Sequence, residues 1–262
     1  MPNARSLWLL FCFFPSILQG QQRLKVVATT TFIADFAKVV AGEQAEVISL
    51  MPVGGDPHIY DPVPGDARKI AEADLILKNG LTLEGWLDEM IENSGTLADI
   101  VTITEGIKQI QSADHANASD PHAWMDARNA IIYTRNIRDA LIRADSRNAS
   151  TYRARFEAYR LQLEELDRFV EAEIKRIPEN QRILATTHDA FRYYGNRYGL
   201  RVESVLGTST DAEVRMEDLN HLAKQIEQFQ IPAVFVESTI SPKLLKQLAR
   251  NLNIGVGESL FA

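Results

Sequence analysis

Apolar positions along this chain follow two alternating rhythms. Short apolar runs at residues 24–29, 45–51, 75–77 and 101–104 have the composition of strands. Between them, apolar residues return every three or four positions, as in Ile33, Phe36, Val39 and Val40 and again over 67–73 and 83–91, which predicts helices. Strand–helix alternation of this kind predicts a mostly parallel sheet covered by helices on both faces.

One stretch breaks the alternation. Tyr152, Phe156, Tyr159, Leu163, Leu166, Val170, Ile174 and Ile177 form a single helical stripe that Pro178 stops. Counted from Asn148, this helix would be about 45 Å long at ~1.5 Å per residue. Glu164 with Arg168 and Glu171 with Lys175 have the i,i+4 spacing of favourable ion pairs. Beyond it the alternation resumes, with strands expected at 182–187, 202–206, 233–237 and 254–256 and helices at 191–194, 216–229 and 244–252. The expected fold class is α/β: two lobes, each a mostly parallel sheet flanked by helices, joined by one long rigid spine helix. The boundaries read as 21–144 for the first lobe, 145–178 for the link and 179–262 for the second lobe.

Composition adjusts this picture at the N-terminus. Residues 1–20 contain Arg5, an apolar run from Leu7 to Leu18 and then Gly20, the layout of a secretory signal peptide too short to span a bilayer. The single cysteine, Cys12, follows the bulky Phe11, where a lipid-attachment site takes a small residue. A cleaved leader leaves a chain with neither disulfide nor thiolate ligand. It also removes Arg5, taking the formal charge from −7 to −8. An acidic surface argues against nucleic acid and anionic membranes as partners.

The candidate chemistry lies in histidines. Gly54-Gly55-Asp56-Pro57-His58 and Asp120-Pro121-His122 each place an imidazole directly after a proline, on stiffened backbone. His188, in Thr186-Thr187-His188-Asp189, follows the first expected strand of the second lobe. Ligands of open α/β sheets gather beyond the carboxyl ends of strands, so all three imidazoles are expected to face one cleft as metal ligands. His115 reads as solvated loop and His221 as helix surface. Asp56, Asp61, Asp126 and Asp189 flank the histidines; they are expected either to accept the second ring N–H or to cap turns and helices. Glu237 ends a strand and reads either as a ligand or as an ion-pair partner. Trp86, Trp124, Phe191 and Tyr194 read as core. A helix-borne His-Glu-x-x-His, a phosphate-cradling glycine loop and a serine elbow are absent from the sequence.

At these residues the chain resembles the metal-specific solute-binding proteins of bacterial ABC importers, the group with TroA-like zinc/manganese receptors and related lipoprotein adhesins. The matching segments are Ala28-Thr29-Thr30-Thr31-Phe32, the stretch from Gly54 through Tyr60, Asp120-Pro121-His122-Ala123-Trp124-Met125-Asp126, Thr186-Thr187-His188-Asp189-Ala190-Phe191 and Val234-Phe235-Val236-Glu237-Ser238. The resemblance implies His58, His122 and His188 as three ligands of one divalent ion, Zn or Mn rather than Fe. Histidine at the third position resembles the zinc- or manganese-binding branch, while the loop at 112–119 is shorter than in dedicated zinc receptors.

The family's fourth ligand is an aspartate in a segment that here reads Gly257-Glu258-Ser259-Leu260-Phe261-Ala262, so it would be the next residue. That implies a truncated chain with weaker, more exchangeable metal, and water or Glu237 in the fourth place. The implied function is an extracytoplasmic, periplasmic receptor, a monomer and not an enzyme, handing metal to a membrane ABC permease. Acid is expected to expel the metal below about pH 6.5, the histidine reference value. The alternatives are a secreted zinc hydrolase using Glu237 as base and a metal-stabilised surface adhesion module.

Overall fold

The computed structural model describes residues 23–112, 117–211, 214–238 and 241–260. The expected leader, Cys12 and His115 lie outside the described residues. The aliphatic runs become strands: Leu24–Ala28 (β1), Ala45–Ser49 (β2), Leu75–Lys78 (β3) and Asp99–Thr102 (β4). They form a parallel sheet in the order β2-β1-β3-β4, with Val26 opposite both Val47 and Leu75. Val26, Val27 and Ala28 are buried on both faces, as a central parallel strand requires. Between the strands run Thr31–Ala41 (α1), which Thr30 caps through the Ile33 amide, Pro64–Ala71 (α2) and Leu87–Ser94 (α3). Ile70 and Leu87 pack with Val27 and Ile76 on one face of the sheet. On the other face Ile33, Ala37, Tyr133 and Ile137 meet Val26, Ala28, Leu75 and Leu77.

The helix expected at 83–91 begins later, at Leu87. Gly80, Leu81 and Thr82 all have positive φ (76°, 53° and 68°), a left-handed turn that delays the helix. The buried Glu84 holds that turn by accepting the Asn79 and Gly80 amides and the Thr29 hydroxyl. Burial raises its carboxyl pKa, against those hydrogen bonds.

Ala127–Ala144 (α4) starts at Asp126, whose side chain accepts the Arg128 amide, and packs along Ala149–Lys175 (α5). The latter is the expected spine, 27 residues and so about 40 Å long. Its buried stripe differs from expectation at one position: Leu166 is exposed and Asp167 is buried in its stead. Asp167 takes Arg128 from α4 at 3.0 Å and, from the helix Arg192–Tyr198 (α6), Arg197 at 2.5 Å and the Tyr198 hydroxyl at 3.1 Å. The spine thus joins first-lobe and second-lobe helices through one carboxylate. Glu171 pairs with Lys175 as expected, but Glu164 pairs with Arg160, one turn earlier, rather than with Arg168.

The second lobe repeats the pattern on shorter strands. Ile183–Thr186 (β5) pairs in parallel with Arg201–Ser204 (β6), and Ala233–Val234 (β7) with Gly255–Val256 (β8). The Phe235 amide donates to the Ala185 carbonyl at 2.8 Å, drawing the two pairs together through β5 and β7. Met216–Phe229 (α7) and Lys243–Leu252 (α8) bury Leu222, Ile226, Leu245 and Ala249 against this layer. Among the described residues no helix is long and apolar enough to cross a membrane.

Candidate metal centre

His58, His122 and His188 come together although 64 and 66 residues separate successive members. His58 rides on the loop from β2 to α2. That loop is pinned near its end by Tyr60, whose hydroxyl donates to Asp66 at 2.7 Å and lies 3.3 Å from the Leu50 carbonyl. Burial first, then Asp66, pushes the Tyr60 phenol up to about 12. His122 sits in the connection ahead of α4, at 1 % exposure, and His188 follows β5 at 2 %. Nε2 of His122 lies 3.1 Å from Nε2 of His58 and 3.2 Å from Nε2 of His188. The ring centroids are 5.0–5.6 Å apart. Tetrahedral bonds of about 2.0–2.1 Å to zinc place neighbouring nitrogens about 3.3–3.4 Å apart, so these separations suit a single ion.

Buried carboxylates orient two of the rings. Asp120 accepts the His122 backbone N–H at 2.9 Å and lies 2.8 Å from its Nδ1. Glu237, 2 % exposed, pairs with Nδ1 of His188 through one oxygen. Its other oxygen takes the Thr187 and His188 amides at 3.0 and 3.1 Å. A carboxylate on Nδ1 fixes the proton there and leaves the Nε2 lone pair free for a cation. Burial, then repulsion from His122 and His188, lowers the His58 pKa to about 3. Burial also lowers that of His122, outweighing the opposing pull of Asp120. Imidazoles facing one another at this distance turn three ring nitrogens toward one point.

Of the two roles expected for the flanking acids, Asp56 and Asp126 take the capping one. Asp56 accepts the His58 backbone amide, Asp126 caps α4, and Asp61 is exposed. Asp189 donates its amide to Gly207 and lies 3.6 Å from Arg192. The ring nitrogens are instead served by Asp120 and Glu237. Asp120 carried a signal, the tripeptide Asp-Pro-His itself; Glu237, 49 residues from His188, carried none that singles out this role. With both oxygens engaged, Glu237 is free neither as a fourth ligand nor as a general base. His221 is exposed on α7, as expected.

Two tryptophans read as core lie beside the site. Trp124 stacks on Phe32 at 4.2 Å and reaches the His122 ring at 5.1 Å, and Trp86 packs edge-on to Tyr60. A cavity of about 380 Å³ reaches His58 between Tyr60, Trp86, Ser119, Thr208 and Asp211. Among the described residues no Lys or Arg lines it, so it suits a hydrated cation rather than an anion.

The family described as zinc-uptake complex component A, periplasmic (ZnuA), matches residues 26–261. The metal ABC transporter substrate-binding lipoprotein FimA of Streptococcus parasanguinis is 33 % identical over 261 residues, covering 97 % of this chain and 84 % of that protein. The manganese ABC transporter substrate-binding lipoprotein PsaA of Streptococcus pneumoniae is 32 % identical over 250 residues, covering 92 % and 81 %. Among solved structures, the periplasmic zinc-binding protein TroA of Treponema pallidum superposes with a TM-score of 0.87 at 31 % identity, covering 92 % of this chain and 89 % of that one. The Mn-bound periplasmic metal-binding protein of Candidatus Liberibacter asiaticus gives 0.83 at 29 %, with the same coverage. Two α/β lobes on a spine helix, three converging imidazoles and a family match across the described chain agree: this protein belongs to the ZnuA family of metal-binding components of ABC uptake systems.

Proposed function

We propose that this chain captures one Zn or Mn ion outside the cytoplasm on His58, His122 and His188 and delivers it to a membrane ABC permease. The observation that carries this reading is the convergence of three Nε2 atoms, two of them on rings braced by buried carboxylates. Relatives named as zinc- or manganese-binding support it. Three nitrogens favour zinc on intrinsic affinity, while manganese prevails where it is the more available ion. The first lobe runs over 21–144, the link over 145–178 and the second lobe over 179–262. The working unit is a monomer in the periplasm, released from a leader at residues 1–20. Several relatives are named lipoproteins; Cys12 after Phe11 argues for cleavage without a lipid.

The hydrolase alternative is disfavoured because Glu237 is occupied by the His188 ring and two amides. Calorimetric titration of zinc and manganese into the wild type and into His122→Ala tests the reading. One ion per chain is expected, with binding lost in the variant; unchanged binding in His122→Ala would overturn it. Mass spectrometry of the exported protein is expected to show a chain without acyl groups.

A further inference from the structure

We infer that Thr210, acting through Asp56, is a positioning residue that sets how fast the site releases its ion; this rests on the metal-capture reading above. The three histidines are not held alike. His122 and His188 are almost fully buried, with carboxylates on Nδ1. His58 is half-buried, and among the described residues no hydrogen bond engages its second ring nitrogen. Its position is set through the backbone by Asp56, whose Oδ1 accepts the His58 amide at 3.0 Å.

The other oxygen of Asp56 accepts the Thr210 hydroxyl at 2.7 Å, from the second lobe and 154 residues away. Thr210 belongs to the segment after β6, which touches the other ligand-bearing segments too. Leu206 donates its amide to Thr187, Gly207 accepts the Asp189 amide, and the Thr208 and Ser112 hydroxyls lie 2.8 Å apart. One segment therefore ties the His188 turn, the strand approach to His122 and the His58 loop. Gly54, at φ 81° with open space around its α-carbon, gives the His58 loop a pivot just before Asp56.

Breaking the Thr210–Asp56 bond leaves two ligands braced and lets the third swing. The cavity opens on His58 and not on His122 or His188, so that is the side from which an ion departs. Association requires only that His58 fold onto an ion already held by two nitrogens, so the effect falls on release.

The test is stopped-flow transfer of zinc from the loaded full chain to excess chromophoric chelator, comparing wild type, Thr210→Val and Thr210→Ser. Thr210→Val keeps the side-chain shape without the hydroxyl. It is expected to release zinc about tenfold faster, the scale of one lost hydrogen bond to a carboxylate. Association and the apoprotein melting temperature should stay at wild-type values, and Thr210→Ser should restore slow release. An unchanged release rate in Thr210→Val, or an acceleration that Thr210→Ser shares, would overturn the inference. A wild type that takes up no zinc would instead overturn the capture reading itself.

Discussion

In the first lobe, β1 is flanked by two parallel strands, and its Val26, Val27 and Ala28 pair with both of them and are buried above and below. In the second, β7 and β8 are two residues each and meet β5 through the Phe235 amide. The same imidazole–carboxylate device is built on both. In the first lobe the carboxylate is two residues from its histidine, on one proline-stiffened turn. In the second it crosses from the segment after β7 to the segment after β5. A brace made within one turn survives as long as that turn does; a brace made across strands depends on the layer that aligns them. The first lobe is thus the platform of the site, and the second is the half whose grip depends on sheet alignment.

Acid should act most strongly. The folded-state pKa of His58, about 3, lies below the unfolded value of about 6.5. Above pH 6.5 neither state binds the proton and the group is neutral toward stability. As pH falls from 6.5 toward 3, the unfolded chain takes the proton first, so the apoprotein loses stability across that window. Metal binding follows a different course, because burial holds the His58 and His122 rings below the ordinary imidazole value, so protons compete less for their nitrogens. Zinc titrations at pH 7.5 and 5.5 should therefore differ by well under about a thousandfold in affinity, while apoprotein melting temperatures fall. Three imidazoles titrating at their ordinary value would cost about a thousandfold in affinity over that range, and that result would contradict the burial argument.

The two braces separate the lobes more finely. Asp120→Asn and Glu237→Gln should each weaken zinc binding about 10–100-fold. Glu237→Gln should also lower the urea midpoint of the apoprotein, since the Thr187 and His188 amides lose a charged acceptor, whereas Asp120→Asn should lower it less. Equal midpoints would erase the distinction between a local and a cross-strand brace.

A smaller effect is expected at the spine. Asp167→Asn weakens the pairing of Arg128 and Arg197 on one carboxylate, with a loss of about 1–3 kcal/mol in unfolding free energy, toward the low end because Arg128 is largely exposed. Zinc affinity should hardly change, because Asp167 does not touch the imidazoles. A large affinity loss would show instead that the lobes move relative to each other during capture.

Much of this was legible beforehand. Periodicity located most strands and helices to within a few residues, because burial of one helical face or of a whole parallel strand leaves a repeating apolar mark; α4 was not among the elements it gave. It misplaced the start of α3, where the left-handed turn at Gly80, Leu81 and Thr82 is held by Glu84 from within the fold. It put Leu166 rather than Asp167 on the buried stripe, because an apolar pattern does not register a carboxylate that becomes buried by ion pairing.

The sequence by itself determined that three histidines stand on stiff or strand-terminal backbone at the ends of an α/β pattern, since proline geometry and strand–helix rhythm are local properties. The tertiary structure alone decided that their Nε2 atoms meet within about one ion's reach, that Glu237 rather than a flanking aspartate serves His188, and that Thr210 reaches Asp56. Those are distances between residues 49 to 154 positions apart, and such distances are set by how the sheets, the spine and the connecting loops pack.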